Sequence, residues 1–228
     1  MCPECPSVGT GRLKGIGNGG TPAMWDERYA GRDYVFGTEP ATFLVRSAGL
    51  LPPASRVLML AEGEGRNAVW LAGQGHEVTG IDRSAVGLAK AARLADARGV
   101  QVTLRQGDVL DWDGADGPWD AVAAIFVHFR RAEWAGLARA LAFGLRPGAV
   151  FLYHGYGPGQ LALGTGGPRD RDMLATAAEV AAPFPGWEVL VAREHDEVLA
   201  EGTRHLGRSA LVDVILRAPG VVVARAGG

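Results

Sequence analysis

A chain of 228 residues, with 23 basic and 25 acidic side chains and a formal net charge of −2, has the size of one domain with a sizeable core. That balance gives no electrostatic reason to expect nucleic acid or an anionic membrane as a partner, and lysine is nearly absent, with Lys14 and Lys90 alone. No apolar run approaches the ~20 residues of a membrane span, and the first residues lack the apolar stretch of a secretory leader, so a cytoplasmic protein is expected.

Both cysteines fall in Cys2-Pro-Glu-Cys5. A structural zinc site takes four ligands and there is no second pair, so no metal is expected. Glycine is frequent and apolar periodicity absent through Ala23, so residues 1–23 read as a disordered tail. A single domain is expected over 24–217, followed by a short tail over 218–228. Pro40 opens a helix with Phe43, Leu44 and Ala48 on one face, ended by Gly49 and Pro52-Pro53. Strands and helices then alternate. Arg56–Leu60 is an apolar strand, Arg66–Gln74 a helix, and Glu77–Ile81 the second strand. Ser84 caps a helix that Gly99 closes. Val100–Arg105 and Asp120–Phe126 are strands three and four, around the helix Arg131–Phe143. Arg146-Pro147-Gly148 turns the chain into strand five, Ala149–His154. A long glycine-rich loop, Gly155–Arg169, precedes a helix over Asp172–Ala182. Trp187–Ala192 and Leu206–Leu216 read as two closing strands joined by a charged segment, Arg193–Arg204.

This order predicts an α/β fold: one Rossmann-like, doubly wound sheet, mostly parallel, with an antiparallel C-terminal hairpin at one edge. Its strand ends bring Glu62, Asp82, Asp108 and residues 125–128 to one rim, where such sheets bind ligands. Gly63 and Gly65 form a turn between strand and helix that lets backbone approach a ligand. Asp82 closes the second strand, where an acid accepts the hydroxyls of a ribose; capping the next helix is the plainer alternative. Asp108 is placed to meet an adenine amino group or to stand as a solvated turn acid. The apolar exit of strand four, Ile125-Phe126-Val127, suits an adenine edge and a sulfonium. A nicotinamide-dependent oxidoreductase stays open beside an S-adenosylmethionine enzyme, though the chain has little room for a second catalytic unit.

Val57–Asn67, Gly80-Ile81-Asp82-Arg83-Ser84, Gly107-Asp108-Val109, Trp119-Asp120-Ala121 and Leu145-Arg146-Pro147-Gly148 together resemble the class I S-adenosylmethionine-dependent methyltransferases. The flanks Trp25–Tyr29, Phe36–Pro40, Gly164–Pro168 and Glu201…His205 are similar to its tellurite-resistance and thiopurine methyltransferase-like branch. The resemblance covers roughly residues 24–217. It implies S-adenosylmethionine as cofactor, held by Trp25, Tyr29, Glu62, Gly63, Gly65, Asn67, Asp82, Arg83, Asp108, Val109, Ile125 and Phe126. It implies a small-molecule methyl acceptor, most simply a thiol or a selenium or tellurium oxyanion, and a monomer or homodimer. His128 is implied to face that acceptor as catalytic base, against the plainer reading that it bonds to backbone; His128→Ala is then expected to lower turnover while sparing cofactor affinity. Gly164–Pro168 reads as an acceptor-side lid or a plain turn. The sequence departs from the family at two places: Met59 stands where an acid is usual and Ala61 where a glycine is usual. A catalytically degenerate cofactor-binding module is therefore a further alternative.

Overall fold

The structure, a computed structural model, describes residues 20–220; the cysteine pair lies outside the described residues. Its helices are α1 (Pro22–Tyr29), α2 (Thr42–Ser47), α3 (Arg66–Gly73), α4 (Ala85–Arg98), α5 (Arg131–Gly144), α6 (Gln160–Leu163) and α7 (Ala177–Ala181). Its strands are β1 (Arg56–Leu60), β2 (Glu77–Asp82), β3 (Thr103–Gln106), β4 (Trp119–Ile125), β5 (Leu145–Tyr156), β6 (Glu188–Glu201) and β7 (His205–Arg217). They form one seven-stranded sheet in the order β3-β2-β1-β4-β5-β7-β6. The first five pair in parallel; β7 is antiparallel to both β5 and β6. This is the expected doubly wound α/β sheet with its antiparallel closing hairpin.

The period of two along each strand divides the core into two layers. Val57 and Met59 share a face with Ala121, Ala123 and Ile125, covered by Phe43 and Leu44 of α2 and Leu71 of α3. Leu58 and Leu60 share the other with Val122 and Ala124, covered by Trp134, Leu137 and Leu141 of α5 and Val180 of α7. Covering both faces is why β1 and β4 read as unbroken apolar runs. Each fully buried Leu or Val side chain contributes about 1.5–3 kcal/mol. The cap of α4 forms as read: the Ser84 hydroxyl accepts the Gly87 N–H (3.0 Å), and Gly99 ends the helix in the left-handed region at φ +65°.

Several boundaries differ from the sequence reading: β3 starts at Thr103 and not Val100, α2 starts at Thr42 behind Ala41 and not at Pro40, and α6 interrupts the expected loop Gly155–Arg169. Thr21 caps α1 through its hydroxyl and Pro22 stands in the first turn, so order begins before Ala23. Asp172–Ala182 is not one helix: a single 3₁₀ turn spans Arg171–Met173, and α7 starts afresh behind the Thr176–Glu179 capping box. The segment Arg193–Arg204 is not a connector. β6 runs on through Glu201, and only residues 202–204 separate it from β7. The Arg146-Pro147-Gly148 turn is absorbed into β5, which starts at Leu145 opposite Trp119.

Candidate active site

The carboxyl ends of β1, β2 and β4 open into a cavity of about 770 Å³. Gly63 enters its turn at φ +64° and donates its N–H to Asp82 Oδ2 (2.9 Å), while Asp82 Oδ1 accepts the Ser84 N–H (2.8 Å). Asp82 therefore ties the start of α4, as the plainer reading has it, and it also lines the cavity. A carboxylate accepts about four hydrogen bonds, so Asp82 keeps acceptor capacity beside these N–H groups. Burial raises the Asp82 pKa, and the bonds from Ser84 and Gly63 pull it back part of the way. Gly65, at φ +93°, lies deeper; a Cβ there would stand 2.6 Å from that of Ala91, so only glycine lets α3 and α4 approach this closely.

The turn does not lack a buried acid. Glu62 Oε1 accepts the N–H groups of Asn67 (3.0 Å) and Ala68 (2.8 Å) at the start of α3, and its other oxygen makes no hydrogen bond among the described residues. Burial lifts the Glu62 pKa to about 7 against those bonds. Met59, at the position where the family carries an acid, is 1 % exposed in the apolar layer. Ala61, where the family carries glycine, holds φ +53°. A residue with a Cβ costs about 1–2 kcal/mol in that region, so the turn keeps its shape under strain.

Trp25, Tyr29, Asn67, Arg83, Val109, Ile125 and Phe126 all line the cavity. Gly63, Gly65 and Asp108 are not among its lining residues. Asp108 accepts the Leu110 N–H (3.0 Å) and pairs with Arg83 (2.7 Å), so it holds the arginine rather than facing the cavity. Trp25 stacks on Tyr29 at 5.5 Å between ring centres.

A buried ion pair secures the segment above them. Glu64 and Lys90 are 2 % and 1 % exposed, 2.5 Å apart. The second Glu64 oxygen accepts the N–H groups of Val35 (2.8 Å) and Phe36 (3.4 Å), and Lys90 donates to the carbonyls of Gly31 (3.0 Å) and Asp33 (2.6 Å). Sequence reasoning missed this pair, although the repeated acid in Ala61-Glu-Gly-Glu-Gly65 and the rarity of lysine were both visible.

The far half of the cavity is aromatic and titratable. Phe126 holds φ +55°, its N–H bonded to the His154 carbonyl (2.7 Å), and its ring lies 3.9 Å from that of His205 and 5.2 Å from that of Tyr156. Strain of this kind gathers at ligand sites. His128 lines the cavity, but its Nε2 accepts the Tyr156 N–H (3.1 Å) and its ring stacks on the Tyr156 ring. The plainer alternative is the one observed. Burial lowers the His128 pKa to about 3, and the lone pair a base needs is already engaged, so the expectation of a catalytic base here is corrected. Gly166, Gly167 and Pro168 do line this half, beside Tyr156 and Gln160. Glu201 and His205, a motif of the resemblance, meet Arg66 there too, a junction not read from sequence because α3 and the closing hairpin lie far apart in the chain.

A doubly wound sheet with a glycine turn and a strand-end acid at one rim is an architecture in which nucleoside cofactors bind, and similarity narrows the class. Residues 57–148 match the family described as Methyltransferase domain. A search of the curated proteins finds no match. Among solved structures, one described for conversion of a disulfide bond into a thioacetal group during echinomycin biosynthesis superposes with a TM-score of 0.72 at 24% identity, covering 87% of this chain and 92% of that one. TehB from Haemophilus influenzae gives 0.62 at 16% identity, over 77% of this chain and 61% of the other. Magnesium protoporphyrin IX methyltransferase from Synechocystis PCC 6803, with bound S-adenosylhomocysteine, gives 0.56 at 18% identity, over 86% and 82%. The chain has the class I methyltransferase fold and carries a methyltransferase domain over residues 57–148.

Proposed function

We propose that the enzyme methylates a small molecule at sulfur or another chalcogen, with a thiol or a selenium or tellurium oxyanion as acceptor. The observation that carries this reading is the division of one cavity: a backbone-and-carboxylate half around Glu62 and Asp82, and an aromatic half around Phe36, Phe126 and Tyr156. Aromatic rings make favourable contacts with polarisable sulfur. Similarity to the echinomycin disulfide-to-thioacetal structure and to TehB supports the same choice.

S-adenosylmethionine supplies a methyl group already activated on a sulfonium, so in-line displacement by a soft nucleophile calls for no metal. The residues of the chain bind and align. Asp82 and the Gly63 turn hold the nucleoside, Val109, Ile125 and Phe126 bound its base, and Trp25 and Tyr29 cover it. Alignment of this kind is worth roughly 7–11 kcal/mol of the barrier. His128 acts here by fixing Tyr156 in the wall of the acceptor half. The test is titration calorimetry against S-adenosylhomocysteine with NAD as control, followed by a methylation screen of thiols, selenite and tellurite. Micromolar binding of S-adenosylhomocysteine alone and turnover of a chalcogen acceptor are expected. Turnover of oxygen or nitrogen acceptors only would overturn the acceptor assignment, and binding without any turnover would make the chain a degenerate module.

A further inference from the structure

We propose that His205, oriented by Glu201, accepts the proton of the methyl acceptor, which therefore enters un-ionised, so that among the chalcogen acceptors above a neutral thiol is selected over the oxyanions. This rests on the proposed reaction and deepens it.

Glu201 ends β6 and His205 begins β7, and the tight turn between them pairs the two in register. The Glu201 carboxylate lies 3.4 Å from His205 Nδ1, a long bond of the kind that shortens when a ligand closes the site. Its Oε2 is held 2.8 Å from Arg66, with both side chains largely buried at 7 % and 13 % exposure. The imidazole is fixed between Phe36 (4.5 Å) and Phe126 (3.9 Å) and lines the cavity. Its Nε2 has no partner among the described residues. Nucleophile, base and a carboxylate that orients the base are the recurring parts of proton-transfer sites, and here the last two are present.

The other four of the five histidines are spent elsewhere. His128 Nε2 takes the Tyr156 N–H, His154 and His195 both turn to Asp213, and His76 accepts the Ser55 N–H. The groups facing His205 are Glu201 on the hairpin, Arg66 on α3, His154 and Tyr156 on β5, and His128 after β4. Burial lowers the His205 pKa, and the Glu201 bond opposes it only in part, so the ring stands neutral at pH 7, in the form that accepts a proton. Glu201 stays ionised: burial works to raise it, but His205 and Arg66 together hold it at about 2.

The step balances as follows for an acceptor X–H. The X–H bond breaks and its proton forms an N–H bond at Nε2, while the X electron pair forms the X–CH₃ bond. The pair of the sulfonium S–CH₃ bond remains on sulfur as a neutral thioether, and the imidazolium faces the Glu201 carboxylate until its proton passes to water.

Two measurements on the full chain with bound S-adenosylhomocysteine test this. Long-range ¹⁵N–¹H NMR, assigned with His205→Gln, reads the tautomer without any acceptor; protonated Nδ1 and bare Nε2 are expected. A proton on Nε2 overturns the proposal. Methyl transfer is then compared for 2-mercaptoethanol, un-ionised at pH 7, and thionitrobenzoate, ionised at pH 7. His205→Gln is expected to slow the first by about 100-fold or more and the second by far less. An equal loss for both overturns the proposal by making His205 a structural residue. Where wild-type methylates neither probe, the tautomer alone decides. Failure of S-adenosylhomocysteine to bind, with the tautomer intact, would instead count against the reaction proposed above.

Discussion

The two halves of the cavity are built in opposite ways. The polar groups of the half proposed for the cofactor come from one continuous stretch, β1 to the start of α4, and are backbone N–H donors and the carboxylates that receive them. The acceptor half is made of side chains from four separate regions: Phe36, Phe126, Tyr156 and the Glu201–His205 pair. A ligand shared by many enzymes is met by main chain, which varies little with sequence. A ligand particular to one enzyme is met by side chains, which vary freely.

That contrast can be broken at graded cost. Lys90→Met should do most damage, since it leaves the Glu64 carboxylate buried without a cation; a loss of about 3–5 kcal/mol is expected from urea unfolding. A loss below 1 kcal/mol would mean the pair does not hold residues 31–36 in place. Asp82→Asn removes a charged acceptor at the turn, and calorimetry should show S-adenosylhomocysteine affinity falling about ten- to a hundredfold with folding retained, the equivalent of about 1.5–3 kcal/mol. His205 variants should leave that affinity unchanged, so loss in both would erase the division between halves. Ala61→Gly is the mildest change. Relief of the positive φ, set against glycine's added chain entropy, should raise stability by about 0.5 kcal/mol, visible as a small rise in Tm.

Legibility in the sequence follows the same division. β1, α3, β2 and α4 are placed to within a residue or so because apolar period, Ser84 cap and Gly99 stop all agree locally. β6 escaped because an edge strand is wetted: Arg193, Glu194, Asp196 and Glu197 keep charge in solvent, and a charged run reads as a connector. The helix over 172–182 failed at its own capping signal, Thr176 with Glu179, which marks a new start rather than a continuation. In the site, Asp82 and the glycine turn were legible from spacing. The bonds that engage His128 and leave His205 open depend on Tyr156 and Glu201, contacts that exist only once the sheet has formed.

The Glu64–Lys90 pair also sets how the enzyme meets its surroundings. Dissolved ions weaken charges they can surround, over a distance of about 8 Å at physiological strength, but these two side chains are 2 % and 1 % exposed. Departure of residues 31–36 from the cavity mouth strips Glu64 and Lys90 of the N–H and carbonyl partners that this segment supplies, a loss that added salt scarcely changes. Arg169 and Arg204, exposed at the rim of the same cavity, have no such shelter. The two ends of one cavity thereby answer differently to their solvent: salinity reaches the rim at Arg169 and Arg204, on the side proposed for the acceptor, and leaves the Glu64–Lys90 clasp unchanged.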